Sequence, residues 1–230
     1  MDRLFNYGAS LLNVGREEDC LRWAAFASTS YPSEQRSDEN RWQEIIMAAA
    51  NNQIVKYMRG NQLTNARNFL DTYKTALSAI NYTQLDAIII DSELLDSANK
   101  IRGAADGDIV IAAIENARLN GSIGGGRASE LYTFAVQKTA VVLSAAPGRD
   151  WLAAINYIEN AIAGFGSNRE LEQSLRTYRA NRAADFHNRF AAAWNSRNFD
   201  EGRRILDEGL AEFPTDRQLL ADREIVNRYR

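Results

Sequence analysis

Five short breaks in helical periodicity recur along this chain at near-constant spacing, and that repetition constrains the fold more than any other feature. Each break precedes a hydrophobic residue with a small residue three positions on: residues 15–20, 60–66, 106–112, 148–154 and 197–202. In the first of them, Glu17 replaces the hydrophobic residue. Setting Glu17, Leu63, Ile109, Trp151 and Phe199 in register gives intervals of 46, 46, 42 and 48 residues. Regular self-similarity of this length is the mark of a repeat architecture, in which one supersecondary unit is used again and again. Gly, Asn and Asp at the breaks suit the end of one helix and the cap of the next. Between them apolar residues return three and four positions apart, as in Trp151, Ala154, Ile155, Ile158 and Ile162. A helix pair patterned in this way cannot bury its apolar faces alone and needs a stacked neighbour.

Composition agrees with helices. Alanine and leucine are plentiful, and three prolines in 230 residues are too few for the frequent turns of a β-sandwich. The expected fold is therefore all-α: an α-solenoid of about five antiparallel helical hairpins in a single domain, 1–230. The hairpins are expected at 1–32, 38–80, 82–120, 127–165 and 168–213, with a capping helix at 215–229. Residues 30–37 read as a connector, and the glycine-rich run 121–126 as a flexible loop between hairpins three and four. No stretch reaches the 18 or so uninterrupted apolar residues of a membrane span. With no signal peptide after Met1, the reading is a soluble cytoplasmic protein, or an extracytoplasmic one if a targeting segment has been trimmed.

The two ends of the chain carry a family resemblance. Residues 1–34 resemble a tetratricopeptide (TPR) repeat through Leu4, Gly8, Leu11, Gly15, Cys20, Ala27 and Pro32. Residues 183–216 do so through Phe186, Phe199-Asp200-Glu201-Gly202, Leu206, Gly209 and Pro214. The last unit departs from the pattern at Arg189 and Phe190. The three middle units exceed the family's 34-residue period by 8 to 14 residues, which elongated first helices would account for. The resemblance implies a concave binding face on the first helix of each hairpin. Carried onto this sequence, that face is Asp2, Phe5, Ala9, Leu12 and Asn13, then Ala184, His187, Ala191, Trp194 and Asn195. In the second hairpin, counting back from the turn gives Asn51, Val55, Met58 and Arg59. The family's clamp for a peptide carboxylate needs asparagine where Ala9 and Ala191 stand, which disfavours that mode of recognition.

Catalytic chemistry finds little support. Cys20 is the only cysteine and His187 the only histidine, so neither a disulfide nor a cysteine- or histidine-rich metal centre is expected. They lie in the first and fifth hairpins, too far apart for a nucleophile and its base. The carboxylate pairs Glu17-Glu18 and Asp200-Glu201 fall in the first turns of helices, where negative charge favours the helix dipole. Gly124-Gly125-Gly126-Arg127 lacks the strand and the Gly-Lys-Ser context of a phosphate loop. A net charge of −3 gives no general attraction to nucleic acid. In the last third, arginines alternate with acids, which reads as a salt-bridged helix surface.

The stretch from Leu131 to Ala146 is apolar on nearly every side. Such a helix is either buried in the fold or a face for a partner, including a second copy of the chain. The expected function is a non-enzymatic scaffold or adaptor that holds a partner segment in the concave groove, with no cofactor and no metal. The candidate contacts are Phe5, Leu12, Asn13, Asn51, Met58, Arg59, His187, Trp194 and Asn195. The alternative is a small-ligand or glycan-binding helical repeat protein that uses Trp23, Trp42, Trp151 or Trp194 as a stacking platform.

Overall fold

Helices, and no strand, make up the regular structure of the described residues, which in this computed structural model are 2–32, 38–145 and 150–228. In chain order they are α1 (Asp2–Asn13), α2 (Glu17–Ser30), α3 (Glu39–Arg59), α4 (Leu63–Thr72), α5 (Ala79–Asn99) and α6 (Ala104–Leu119). They continue as α7 (Gly125–Ala145), α8 (Trp151–Phe165), α9 (Arg169–Asn195), α10 (Phe199–Glu212) and α11 (Arg217–Arg228). Two compact units divide the chain: Met1–Ser97 with Ala112–Leu131, and Ala98–Ile111 with Tyr132–Arg230.

In the first unit α1 packs on α2 and α3, α2 on α3, and α3 on α4. Leu21, Ile46, Ile54, Leu70, Leu85 and Ile89 are fully buried, each contributing about 1.5–3 kcal/mol of transfer free energy. Small side chains let the helices close up. Cys20, Ala24, Ala27, Ala49 and Ala50 are buried, and a Cβ on Gly8 would lie 3.2 Å from both Ile45 and Trp23. Contacts between alternate helices recur at similar sequence separations. Asn81 of α5 donates to the Gln43 side chain of α3, Ser92 of α5 meets Met58 of α3, and Arg127 of α7 pairs with Asp91 of α5, at separations of 38, 34 and 36 residues. Since Gln43 and Asn81 lie near the starts of their helices and Met58 and Ser92 further along, α3 and α5 run parallel. An ion-pair cluster binds α4 to α5, where Arg67 meets Asp86 and reaches Glu93 at 2.9 Å.

In the second unit α8 packs on α9, α9 on α10 and α11, and α10 on α11. The last three helices share a core of Phe186, Phe190, Ile205, Leu206, Leu219 and Val226. Gly202 and Gly209 permit the close approach of α9 and α10: a Cβ on the latter would lie 3.0 Å from Phe186. Similar separations recur here. Asn168 donates to Thr133 at 2.7 Å, and Gln137 to Ser174 at 3.0 Å, across 35 and 37 residues. Several C-terminal arginines lie in ion pairs on the helix surface, for example Arg204 with Glu201 at 2.6 Å and Glu208 at 2.5 Å.

Three of the five sequence breaks share one turn geometry. After α1, Gly15 N–H donates to Leu12 C=O and Arg16 N–H to Leu11 C=O. After α3, Asn61 and Gln62 repeat this on Met58 and Tyr57; after α9, Arg197 and Asn198 repeat it on Trp194 and Ala193. The central residue takes a left-handed conformation each time, with φ of 76°, 54° and 63° at Gly15, Asn61 and Arg197. This is the paired-bond helix ending that satisfies two orphan carbonyls. The helices that follow these three turns carry no side-chain cap, Asn198 included; side-chain caps are made instead at α8, where Asp150 accepts from Ala153 N–H, and at α9, where Asn168 accepts from Leu171 N–H. Of the fourth break, Gly148 and Arg149 lie outside the described residues, as do residues 33–37 of the first connector, Ala146 and Tyr229.

Four expectations need correction. The third break is not at 106–108: α6 already begins at Ala104, and Gly107 lies inside it. A Cβ there would fall 2.3 Å from Thr139 Oγ1 and 2.5 Å from Tyr157 OH, so this glycine serves close helix approach and not a turn. The glycine-rich run is not all loop, since Gly125 and Gly126 open α7, and Ala128 N–H bonds Gly124 C=O at 2.9 Å. Hairpin two, expected to run to residue 80, has its second helix end at Thr72. A turn through 73–78 follows, where Ser78 Oγ accepts Asn81 N–H to start α5. Finally, Glu17 does more than favour a helix N-terminus. Its buried carboxylate crosses to α3, where Lys56 donates to it at 2.6 Å. The apolar stretch from Leu131 is buried in the fold: Leu131, Ala135, Val136 and Ala140 are 1% exposed or less, while Val141 is 53% exposed.

Candidate functional site

The parallel pair α3 and α5 leaves a groove on the first unit. Its α3 wall is a stripe with helical spacing, running through Asn40, Glu44, Met47 and Asn51. Glu39 stands at its N-terminal end, and Ser78, Ile80 and Asn81 close it from the start of α5. Within the groove Gln43 is fully engaged. Its Nε2 donates to Ala76 C=O, and its Oε1 accepts from Ser78 N–H and Asn81 Nδ2. That network fixes the α5 N-terminus against α3 and so sets the groove's width. Ile80 is 71% exposed at its rim.

The residues expected at a binding face fall into four settings. Phe5, Leu12, Met58 and Trp194 are partly buried and packed against the cores. Phe5 stands edge-on to Trp42 at 5.9 Å, under the Arg41 guanidinium at 4.1 Å. Trp194 lies between Phe190 and Phe199, with ring centroids at 5.5 and 4.8 Å. Asn13, Arg59 and Asn195 are exposed at the ends of α1, α3 and α9. Asn51 alone lines the groove. His187 is tied inside the second unit, its Nδ1 2.7 Å from the buried carboxylate of Asp222 on α11. Sequence reasoning named none of the other groove residues, Glu39, Glu44, Met47 and Ile80 among them. Met47 and Glu44 were within reach, being one turn and two turns before Asn51 on the same stripe. Ile80 was not, because it depends on where α5 begins.

The tryptophans divide similarly. Trp42 is buried, and Trp23 donates its indole N–H to Leu4 C=O at 2.9 Å. Trp151 stands at the edge of a second groove in the second unit, 5.9 Å from the Tyr178 ring and beside Gln173, Thr177 and Asn181. A further aromatic row, Tyr7, Trp23, Phe26 and Tyr31, runs along α1 and α2 with Tyr7 and Phe26 half exposed.

Reactive groups are muted. Burial pushes the Cys20 thiol up to about 11, and nearby Glu17 adds to the effect, so it is not a thiolate at neutral pH. Burial acts to raise the Glu17 carboxyl as well, but Lys56 and the residue's own backbone N–H hold it below the usual carboxylate range. Among the described residues no cluster of three or more His, Cys, Asp or Glu is placed to hold a metal ion, and no helix is long and apolar enough to cross a membrane. No protein-family model matches this chain, and no curated protein or solved structure matches it.

Proposed function

We propose that this protein is a helical-repeat scaffold of TPR-like hairpins that binds a segment of a partner protein and adds no chemistry of its own. One observation carries the reading: the groove between α3 and α5, lined by Met47, Asn51 and Ile80 and held open by the Gln43 network. Contacts between alternate helices, at sequence separations of 34 to 38 residues, support hairpin-on-hairpin stacking within each unit. Stacked repeats present their first helices side by side as a ready-made surface for an extended or helical segment. An apolar floor with amide side chains on its walls suits that purpose, since amides can pair with a partner's backbone.

The test is affinity capture from native extract, comparing wild type with a Met47→Glu, Ile80→Glu variant shown by circular dichroism to be folded. Partners held by wild type and lost by the variant are expected. Equal recovery on both baits would place binding elsewhere, and empty baits would count against the scaffold. A second reading, binding of a glycan or other small ligand, rests on the Trp151 groove with its neighbouring Tyr178, Gln173 and Asn181. Saturable change in tryptophan fluorescence on titration with oligosaccharides, absent in Trp151→Phe, would favour it.

A further inference from the structure

The charges along the α3/α5 groove identify the chemistry of what it binds. Most carboxylates of the first unit are matched internally: Glu17 by Lys56, Asp86 and Glu93 by Arg67, Asp91 and Glu130 by Arg127. Glu39 and Glu44 are different. Both are exposed on the groove wall, and among the described residues no ion pair engages either and no cation lines the groove. Asn40 and Asn51 stand on the same wall with no side-chain hydrogen bond. Beside them lie Met47, partly buried against the core, and Ile80, open to solvent at the rim. Two carboxylates without partners, two amides without partners and an apolar step therefore sit together along about three helical turns.

We infer that this groove takes an extended peptide segment in which a lysine or arginine adjoins an apolar residue. The inference rests on the scaffold reading and specifies its partner class. The cation meets Glu44 and Glu39, the apolar side chain seats on Met47 and Ile80, and Asn40 and Asn51 pair with the peptide backbone. An acidic segment is excluded by the same carboxylates, so they select as well as attract.

Fluorescence anisotropy on the full-length protein tests this with three labelled synthetic peptides of one length. One alternates leucine with lysine, and the others carry glutamate or serine in place of lysine. The basic peptide is expected to bind alone, about tenfold more weakly to Glu39→Gln, Glu44→Gln and more weakly at high salt. A control variant, Asp200→Asn, Glu224→Gln, removes the same charge from exposed positions of the second unit. It is expected to bind as wild type does. Equal binding of all three peptides would overturn the inference, as would equal weakening by the control, or no binding by any peptide. Affinity capture judges the scaffold reading separately: partners lost on Met47→Glu, Ile80→Glu whose bound segments are acidic or uncharged would sink this inference and leave that reading standing.

Discussion

A single methyl group at position 107 would occupy space already filled by Thr139 and Tyr157. Tyr157 has little room to retreat: its hydroxyl donates to Asp108 at 3.0 Å, and burial together with that carboxylate pushes the phenol up to about 12. Replacing glycine by alanine inside a helix normally gains about 1 kcal/mol. Gly107→Ala should instead destabilise by about 1–3 kcal/mol, because overpacking outweighs propensity. Urea unfolding of the single variant, and of Gly107→Ala combined with Thr139→Ala and Tyr157→Phe, checks this: the triple variant should regain part of the loss. Glu17 makes the second residue-scale case. Its folded-state carboxyl is depressed, so its stabilisation is fully present above the unfolded pKa and lost as pH falls through the folded one. Glu17→Gln should cost about 1–3 kcal/mol at pH 7, with the difference from wild type vanishing at pH values well below about 4. A constant difference across that range in denaturation curves would refute the ionic account.

Elements of this chain are joined by one turn written with three different residues. Glycine adopts the left-handed conformation at 15 without strain, asparagine tolerates it at 61, and arginine at 197 bears its full cost. Arg197→Gly should therefore raise stability by about 1 kcal/mol, while Gly15→Ala should lower it by a similar amount; thermal melts of the two variants distinguish the signs. The turns also explain what the sequence made legible. Gly15, Gly60-Asn61 and Asn198 mark breaks because the geometry demands such residues or their neighbours, and the spacing of those breaks implied repeated helix pairs. The third break was misplaced because glycine has two uses, and nothing local distinguishes a turn at Gly107 from the close approach it serves. The candidate site was legible only in part for a related reason. Counting back from the turn on the pattern of the resemblance placed Asn51 on the stripe that lines the groove, while Phe5 and Trp194 pack against the cores and His187 holds Asp222 of α11. Those roles depend on neighbours on other helices, 5 to 37 positions away, which periodicity within one helix does not reveal.

At the scale of the whole molecule, the decisive property is how far a local defect spreads. Contacts join sequence-adjacent helices and alternate ones within each unit, so in the stacked reading stability is a sum of hairpin and nearest-neighbour terms. Ile54 and Leu206 are both fully buried, one in the first unit and one in the second. Either change to alanine should cost about 2–5 kcal/mol in its own surroundings. Hydrogen exchange should then report loss of protection in α1–α4 for Ile54→Ala and in α9–α11 for Leu206→Ala, each leaving the other group of helices near wild-type values. A globular core responds differently, because every element leans on a common interior and protection falls throughout. Uniform loss from either substitution would count against stacked repeats, and with them against the scaffold whose groove depends on first helices laid side by side.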